Sequence, residues 1–308
     1  MKKILISTSS FGKLNPAPLH ILKEQGFDIQ LNPYGKALTV EQSLELMQGI
    51  DGMIAGTELL NRQILGAAKD LKYLCRLGAG TDKVDFDAAN SLGITVENTP
   101  NSHVKPVAEL TLGAMLSLAR HIHLSDAAMR QNNWEKQMGF LIFGKTVGLI
   151  GLGKVSKHLV KLLKPFEVDI LAYDPYIDHD FASENNIKVL AADEVYKFSD
   201  IISLHVPYSD DNHHLINAEK LSLMKENVML LNASRGGLIE ESALLNFLTE
   251  HPNAKAYLDT FEKEPYNGSL SELKNILCTP HIGSYAAEGR FEMEKEAVEK
   301  VIKFFNHG

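Results

Sequence analysis

The sequence predicts two α/β domains, each a doubly wound parallel sheet. Three observations carry this reading. The chain has 308 residues, enough for two domains at about 150 residues each. Short apolar runs alternate with helical patterns along its whole length, as parallel strands joined by crossover helices require. The alternation comes as two series, separated by a long stretch with no strand signal.

The first series places strands at 3–7, 28–32, 52–55, 73–76 and 95–97. The second places them at 146–150, 169–173, 188–190, 201–205, 228–232, 256–258 and 276–278. Helical patterns such as 41–47 and 155–163 lie between them. From 106 to about 130 the chain reads as helix. Pro106 suits a first turn, where a missing N–H costs little, and Leu110, Ala114, Leu118 and His121 fall on nearby faces. This stretch is expected to be an inter-domain connector. The tail at 286–305 reads as an amphipathic helix, with Val298, Val301, Ile302 and Phe305 at helical spacing. Its partner domain stays open.

Composition excludes several classes. A net charge of −8 argues against a nucleic-acid binder, which needs a basic face. Hydrophobic content of 44% and charged content of 23% are those of an ordinary globule and exclude a disordered or collagen-like chain. Cys75 and Cys278 form no CxxC, which excludes a cysteine-rich zinc module or disulfide scaffold. The apolar run at the start stops at Ser7, too short for a signal peptide. No window approaches ~18 apolar residues, so no membrane span is expected. A cytoplasmic protein is the expectation.

The strand at 146–150 runs into Gly151, Leu152, Gly153, Lys154, Val155 and Ser156. This is a GxGxxG pattern with Ser in third place. Gly151 allows a tight turn and Gly153 lets the backbone approach a pyrophosphate. The helix that follows offers free N–H groups and a positive dipole end. The strand at 169–173 ends at Asp174, at about the 20-residue spacing of a ribose-binding carboxylate. That carboxylate would repel a 2′-phosphate, and neither Lys nor Arg follows in Pro175, Tyr176, Ile177 and Asp178. NAD is therefore expected over NADP. The bland alternative is a glycine turn beside an exposed Asp.

Three further strand ends carry chemistry. The strand at 228–232 feeds Ala233, Ser234, Arg235, Gly236 and Gly237. An Arg at the carboxyl end of a parallel strand stands where such sheets bind ligands, and its planar guanidinium can grip a carboxylate. A surface Arg paired with an acid is the alternative. The strand at 256–258 leads to Asp259, Glu262 and Glu264, and the one at 276–278 leads to His281. A Glu and a His can thus meet on the edge that holds Arg235. His is the proton shuttle near neutral pH, although the chain has 12 His and a loop His is usually a packing residue. His213 and His214 follow a polar loop and are expected to face solvent. His121 and His123 have no Cys nearby, and no metal site is expected.

The run from Gly78 to Ser284 closely resembles the NAD-dependent D-2-hydroxyacid dehydrogenases, above all their phosphoglycerate dehydrogenase branch. The matching stretches are Gly78-Ala79-Gly80-Thr81-Asp82, Asn98-Thr99-Pro100, Val107-Ala108-Glu109-Leu110-Thr111 and Gly151-Leu152-Gly153. They continue with Tyr173-Asp174-Pro175, His205-Val206-Pro207, Asn232 to Gly237, Leu258 to Pro265, and Pro280-His281-Ile282-Gly283. The resemblance implies two Rossmann/flavodoxin-like domains with a cleft between them. Residues 1–100 plus 285–308 would form the substrate domain, and 101–284 the NAD-binding domain, through which members dimerise. It implies Arg235, Glu264 and His281 as catalytic residues; Glu264 is chosen over Glu262 because the acid just before the Pro partners the His. It implies NAD contacts from Gly151, Leu152, Gly153, Lys154, Val155, Asp174, Pro175, His205, Val206, Pro207, Ala233, Ser234, Asp259 and Gly283. Gly78, Ala79 and Gly80 would receive the substrate carboxylate, with His103 and Arg235 also lining that site. The activity implied is hydride transfer between NAD(H) and a small D-2-hydroxy acid and its 2-oxo acid.

Three departures bear on the substrate. The loop after the third strand, where the phosphoglycerate branch often carries an Arg for the phosphate, has no basic residue here. Glu58 in that loop would repel a phosphate if it faced the site. His103 stands where the family has an Asn, followed by Lys105; these either supply positive charge or cap a helix. The chain also ends soon after its last helix, so the regulatory domain of longer members is not expected. Both 3-phosphoglycerate and an unphosphorylated acid of the glyoxylate or hydroxypyruvate type stay open. From a different class, the resemblance extends to NAD(H)-sensing corepressors, the C-terminal-binding proteins. A methyltransferase would share the glycine loop but has no need of Arg235, Glu264 and His281.

Overall fold

A computed structural model describes residues 1–307. The chain divides into two compact units. One is Met1–His103 with the C-terminal segment from Ser284, and the other is Val104–Gly283.

The first unit is a parallel sheet of β1 (Lys3–Ile6), β2 (Asp28–Leu31), β3 (Gly52–Ala55), β4 (Tyr73–Arg76) and β5 (Thr95–Asn98), in the order β2-β1-β3-β4-β5. Side chains alternate across the pleat. Leu5, Met53 and Leu74 pack on one face against Met47, Ile64, Leu65 and Ala88. Ile4, Ile6, Ile54 and Tyr73 pack on the other against Met293, Ala297, Val298 and Val301. Those last four lie on the helix Ala287–His307, so the tail helix belongs to this unit. Its Phe304 stacks on Tyr73 at 4.6 Å.

The second unit is a parallel sheet of β6 (Thr146–Ile150), β7 (Asp169–Tyr173), β8 (Lys188–Val189), β9 (Ile201–Leu204), β10 (Met229–Asn232), β11 (Lys255–Leu258) and β12 (Ile276–Cys278). Its order is β12-β11-β10-β9-β6-β7-β8. The inner strands β9 and β10 are buried along their whole length, which is why they read as mainly apolar runs, interrupted only by Ser203 and Asn232. The order reverses between β6 and β9, and the carboxyl ends of those strands form the crevice where such sheets take ligands.

The stretch read as a connector is part of this unit. It forms two helices, Val104–Arg120 and Ile122–Arg130, and Ala108, Ala114, Met115 and Leu118 pack on Val147, Leu149, Leu231 and Tyr257. A parallel sheet needs cover on both faces, and this apolar stripe supplies it. The helix breaks at His121, which is left-handed at φ 52°, and the Phe140 N–H takes the Ala119 carbonyl there (2.9 Å). Among the described residues no helix is long and apolar enough to cross a membrane.

Candidate active site

The glycine loop leaves β6 at Gly151, whose φ is +94°. A Cβ on Gly151 would stand 2.5 Å from the His205 carbonyl oxygen, so both the conformation and the space require glycine. Gly153 precedes the helix Lys154–Leu163, and a Cβ on it would meet no atom within 4 Å. The first turn of that helix is therefore open to an anion. Ser156 is buried and donates to the Gly151 carbonyl (2.5 Å). The departure from a third glycine thus tightens the turn.

Asp174 closes the other side. Its carboxylate accepts the Leu152 N–H at 2.7 Å and the Tyr176 N–H at 2.8 Å. Each oxygen retains a lone pair for a ribose hydroxyl. The bare glycine, open helix end and carboxylate on the next strand together fit a dinucleotide. His205, Val206 and Pro207 leave β9 beside this loop, the Val206 side chain bordering the bare Gly151 face. Ser203 Oγ lies 2.9 Å from His205 Nε2, and burial pulls that imidazole down to about 4, which keeps it neutral at physiological pH. Gly151→Ala is expected to weaken NADH binding about tenfold or more and to destabilise the fold by at least ~1 kcal/mol. Fluorescence titration with NADH and a thermal melt check both.

Arg235 leaves β10 in a turn tied by Asn232. The buried Asn232 side chain donates to the Arg235 carbonyl (2.7 Å) and accepts the Ser234 N–H (3.0 Å). Ser234 Oγ reaches back to the Leu204 carbonyl (2.7 Å), and Arg235 Nη1 donates to the Ser234 carbonyl (2.7 Å). The buried Gly236 that follows leaves no room for a Cβ, which would collide with the Phe261 backbone. The turn carrying Arg235 is thereby pressed against the segment that carries Glu262 and Glu264.

Asp259, fully buried at the end of β11, organises the histidine loop. Its carboxylate accepts from the Ile282 N–H (2.8 Å), the Gly283 N–H (2.7 Å) and Thr279 Oγ1 (2.6 Å). Tyr257 Oη lies 2.8 Å from the same threonine hydroxyl. His281 donates its N–H to the Asp259 carbonyl (2.9 Å) and holds a left-handed φ of 55°, a conformation that costs of order 1 kcal/mol unless its surroundings fix it. The His281 Nδ1 to Glu264 Oε2 distance is 2.9 Å, and Glu264 Oε1 accepts the Phe261 N–H (3.2 Å). A carboxylate on Nδ1 places the proton there and leaves Nε2 for a reacting group.

Glu262 points elsewhere. It pairs with His214 Nε2 (2.9 Å) and exchanges bonds with Glu241: the Glu262 N–H donates to Glu241 Oε1 (2.7 Å) and the Glu241 N–H to Glu262 Oε1 (3.2 Å). Burial, with Glu262 and Glu264 nearby, raises the Glu241 carboxyl above its ordinary range. His213 is exposed, but His214 is half-buried, so only one of the two faces solvent as expected. Sequence reading missed Thr279 and Tyr257 and gave Asp259 no part in holding the loop.

In the other unit, Gly78 has φ +124° and donates to Thr99 Oγ1 (2.7 Å), while Asn98 Nδ2 donates to the Ala79 carbonyl (2.7 Å). The successive Ala79 and Gly80 amides donate to no described residue, an arrangement suited to a carboxylate. His103 is half-buried at the end of this unit.

Residues 112–283 match the family described as D-isomer specific 2-hydroxyacid dehydrogenase, NAD binding domain. The chain is 35% identical over 312 residues to the D-3-phosphoglycerate dehydrogenase of Methanocaldococcus jannaschii, covering 98% of this chain but only 58% of that protein. It is 34% identical over 281 residues to the hydroxypyruvate reductase of Thermotoga maritima, covering 89% of this chain and 91% of that one. Among solved structures, the apo D-lactate dehydrogenase of Escherichia coli superposes with a TM-score of 0.87 at 28% identity, covering 100% of this chain and 98% of the other. The chain belongs to the D-isomer specific 2-hydroxyacid dehydrogenase family.

Proposed function

We propose that this protein interconverts a small D-2-hydroxy acid and its 2-oxo acid with NAD(H). The observation that carries the reading is the His281–Glu264 pair (2.9 Å) on the sheet whose glycine loop fits the dinucleotide. Bound NADH supplies the hydride, and NAD accepts it in the reverse direction. Arg235 grips the 2-oxo acid and stabilises charge developing on its carbonyl oxygen. His281, protonated, donates from Nε2 to that oxygen, and takes the proton back in oxidation. Glu264 orients the ring and offsets its positive charge. The Ala79 and Gly80 amides receive the substrate carboxylate. In this reading 1–100 with 285–308 handle substrate, and 101–284 handle NAD.

The test is NADH consumption by purified protein with glyoxylate, hydroxypyruvate and phosphohydroxypyruvate. Turnover of at least one is expected. NADH binding with no turnover of any 2-oxo acid would overturn the enzyme reading in favour of an NAD(H) sensor.

We further propose a homodimer built through the NAD-binding unit, in the cytoplasm. Large apolar side chains lie exposed between 122 and 143: Ile122, Met129, Trp134 at 79%, Met138 at 93%, Leu141 and Phe143. A run of large exposed apolar side chains along one segment supports an interface there. The unpaired Cys75 and Cys278 suit a reducing compartment. Light scattering is expected to give twice the chain mass, and Trp134→Glu with Leu141→Glu to shift the protein towards monomer. A monomeric parent protein would sink the dimer.

A further inference from the structure

The five-stranded sheet has its own switch point. In the order β2-β1-β3-β4-β5 the chain leaves β1 to one side and returns to β3 on the other. The ligand crevice of such a sheet lies outside the carboxyl ends of β1 and β3. Ser7 and Thr8 follow β1 there, and Gly56 and Glu58 follow β3. Glu58 is 6% exposed. Its Oε1 accepts from Ser7 Oγ and from the Gly56 N–H (3.1 Å). The Gly56 N–H also reaches Ser7 Oγ at 2.9 Å. Oε2 accepts from no described residue, and no described Lys, Arg or His pairs with this carboxylate. Thr8 Oγ1 is buried with no hydrogen-bond partner. A Cβ built on Gly56 would lie 2.9 Å from Glu58 Oε2 and 3.1 Å from Thr8 Oγ1. Both oxygens therefore border one bare face of the Gly56 backbone.

A carboxylate oxygen on a buried side chain that accepts from no described residue and a buried hydroxyl without a partner both call for a hydrogen-bond donor. We propose that Glu58 and Thr8 form a specificity subsite that receives the donor-bearing far end of a 2-oxo acid, a C3 hydroxyl above all, and rejects a phosphate there. This rests on the 2-oxo acid reading of the chain and names its substrate class. The Ala79 and Gly80 amides end β4, the strand beside β3. Adjacent strands stand about 4.8 Å apart, so neighbouring strand ends can read the two ends of a three-carbon acid. A hydroxyl donates to Oε2 or to Thr8 Oγ1. A methyl group leaves both unmet, and a phosphate brings like charge and only acceptors against a carboxylate that has no counter-ion.

The experiment uses the full chain with NADH and three acids: hydroxypyruvate, pyruvate and phosphohydroxypyruvate. In the parent protein kcat/KM for hydroxypyruvate is expected to exceed the other two by at least ~10-fold. Glu58→Gln keeps the size and removes the charge. It is expected to raise the ratio of phosphohydroxypyruvate to hydroxypyruvate at least ~10-fold. Thr8→Val is expected to lower the ratio of hydroxypyruvate to pyruvate about 3-fold or more. A thermal melt and NADH titration establish that each variant is folded; if Glu58→Gln is not, the parent ranking and Thr8→Val decide. A parent protein that ranks phosphohydroxypyruvate first, or folded variants whose ratios do not move, overturns the subsite alone. Failure to reduce any of the three acids while NADH binds overturns the reductase reading, and the subsite with it.

Discussion

His281→Gln is expected to lower kcat by roughly 1,000-fold while NADH binding persists. The loop that carries this residue is fixed without its side chain. Asp259 accepts from the Ile282 and Gly283 N–H groups and from Thr279, and the His281 N–H returns to the Asp259 carbonyl. The glycine loop and Asp174 lie on other strand ends, at β6 and β7. Gln can keep a hydrogen bond to Glu264 but cannot carry a proton to an alkoxide. Removing the imidazole therefore isolates proton transfer from folding and from cofactor binding. Single-turnover rates with pre-bound NADH, beside a fluorescence titration, separate the two. A variant with near-parental kcat would mean that His281 is a positioning residue and that another group, or water, moves the proton.

The parts of this protein legible in the sequence are those that local chemistry fixes. The strand at 146–150, the glycines at 151 and 153 and Asp174 are set by a turn, a helix end and the next strand. Gly151 needs its positive φ wherever the rest of the chain goes. Strand ends were overrun by one residue at Ser7, Asn32 and His205 because polar residues that begin a crevice resemble the last residue of a strand. The helix break at His121 left no mark, since the apolar spacing continues across it and the Phe140 N–H that takes the Ala119 carbonyl there comes from farther along the chain. Asp259 stood out as an acid after a strand and, through the resemblance, as an NAD contact. Its work comes from donors 20 and more positions later in the chain, which no local pattern encodes. Glu262 and Glu264 are chemically alike; the resemblance picks Glu264 through the Pro that follows it, and the fold sets Glu264 on His281 and Glu262 on His214. For Glu58, sequence raises the question of where the carboxylate points; burial beside Ser7 and Gly56 answers it.

Arg235→Ala is expected to lower kcat/KM by roughly 1,000-fold, with much of the loss in KM, because under the proposed mechanism it removes a bidentate charged contact and the charge that stabilises the carbonyl oxygen. Arg235→Lys is the more informative variant. It restores the charge but not the planar fork, and an ammonium on a flexible stem does not reproduce two parallel hydrogen bonds. Recovery of only about 10-fold of the loss is expected. The guanidinium is positioned from several sides: Asn232 binds the Arg235 carbonyl, Nη1 rests on the Ser234 carbonyl, and Gly236 is pressed on the Phe261 backbone. Lys has no second nitrogen to rest on the Ser234 carbonyl while another faces the substrate. Steady-state kinetics with the acid that the parent protein reduces best give both numbers, and NADH titration shows that the cofactor site is intact. Full recovery in the Lys variant would mean that charge alone suffices and that the planar fork has no part in orienting the 2-oxo acid.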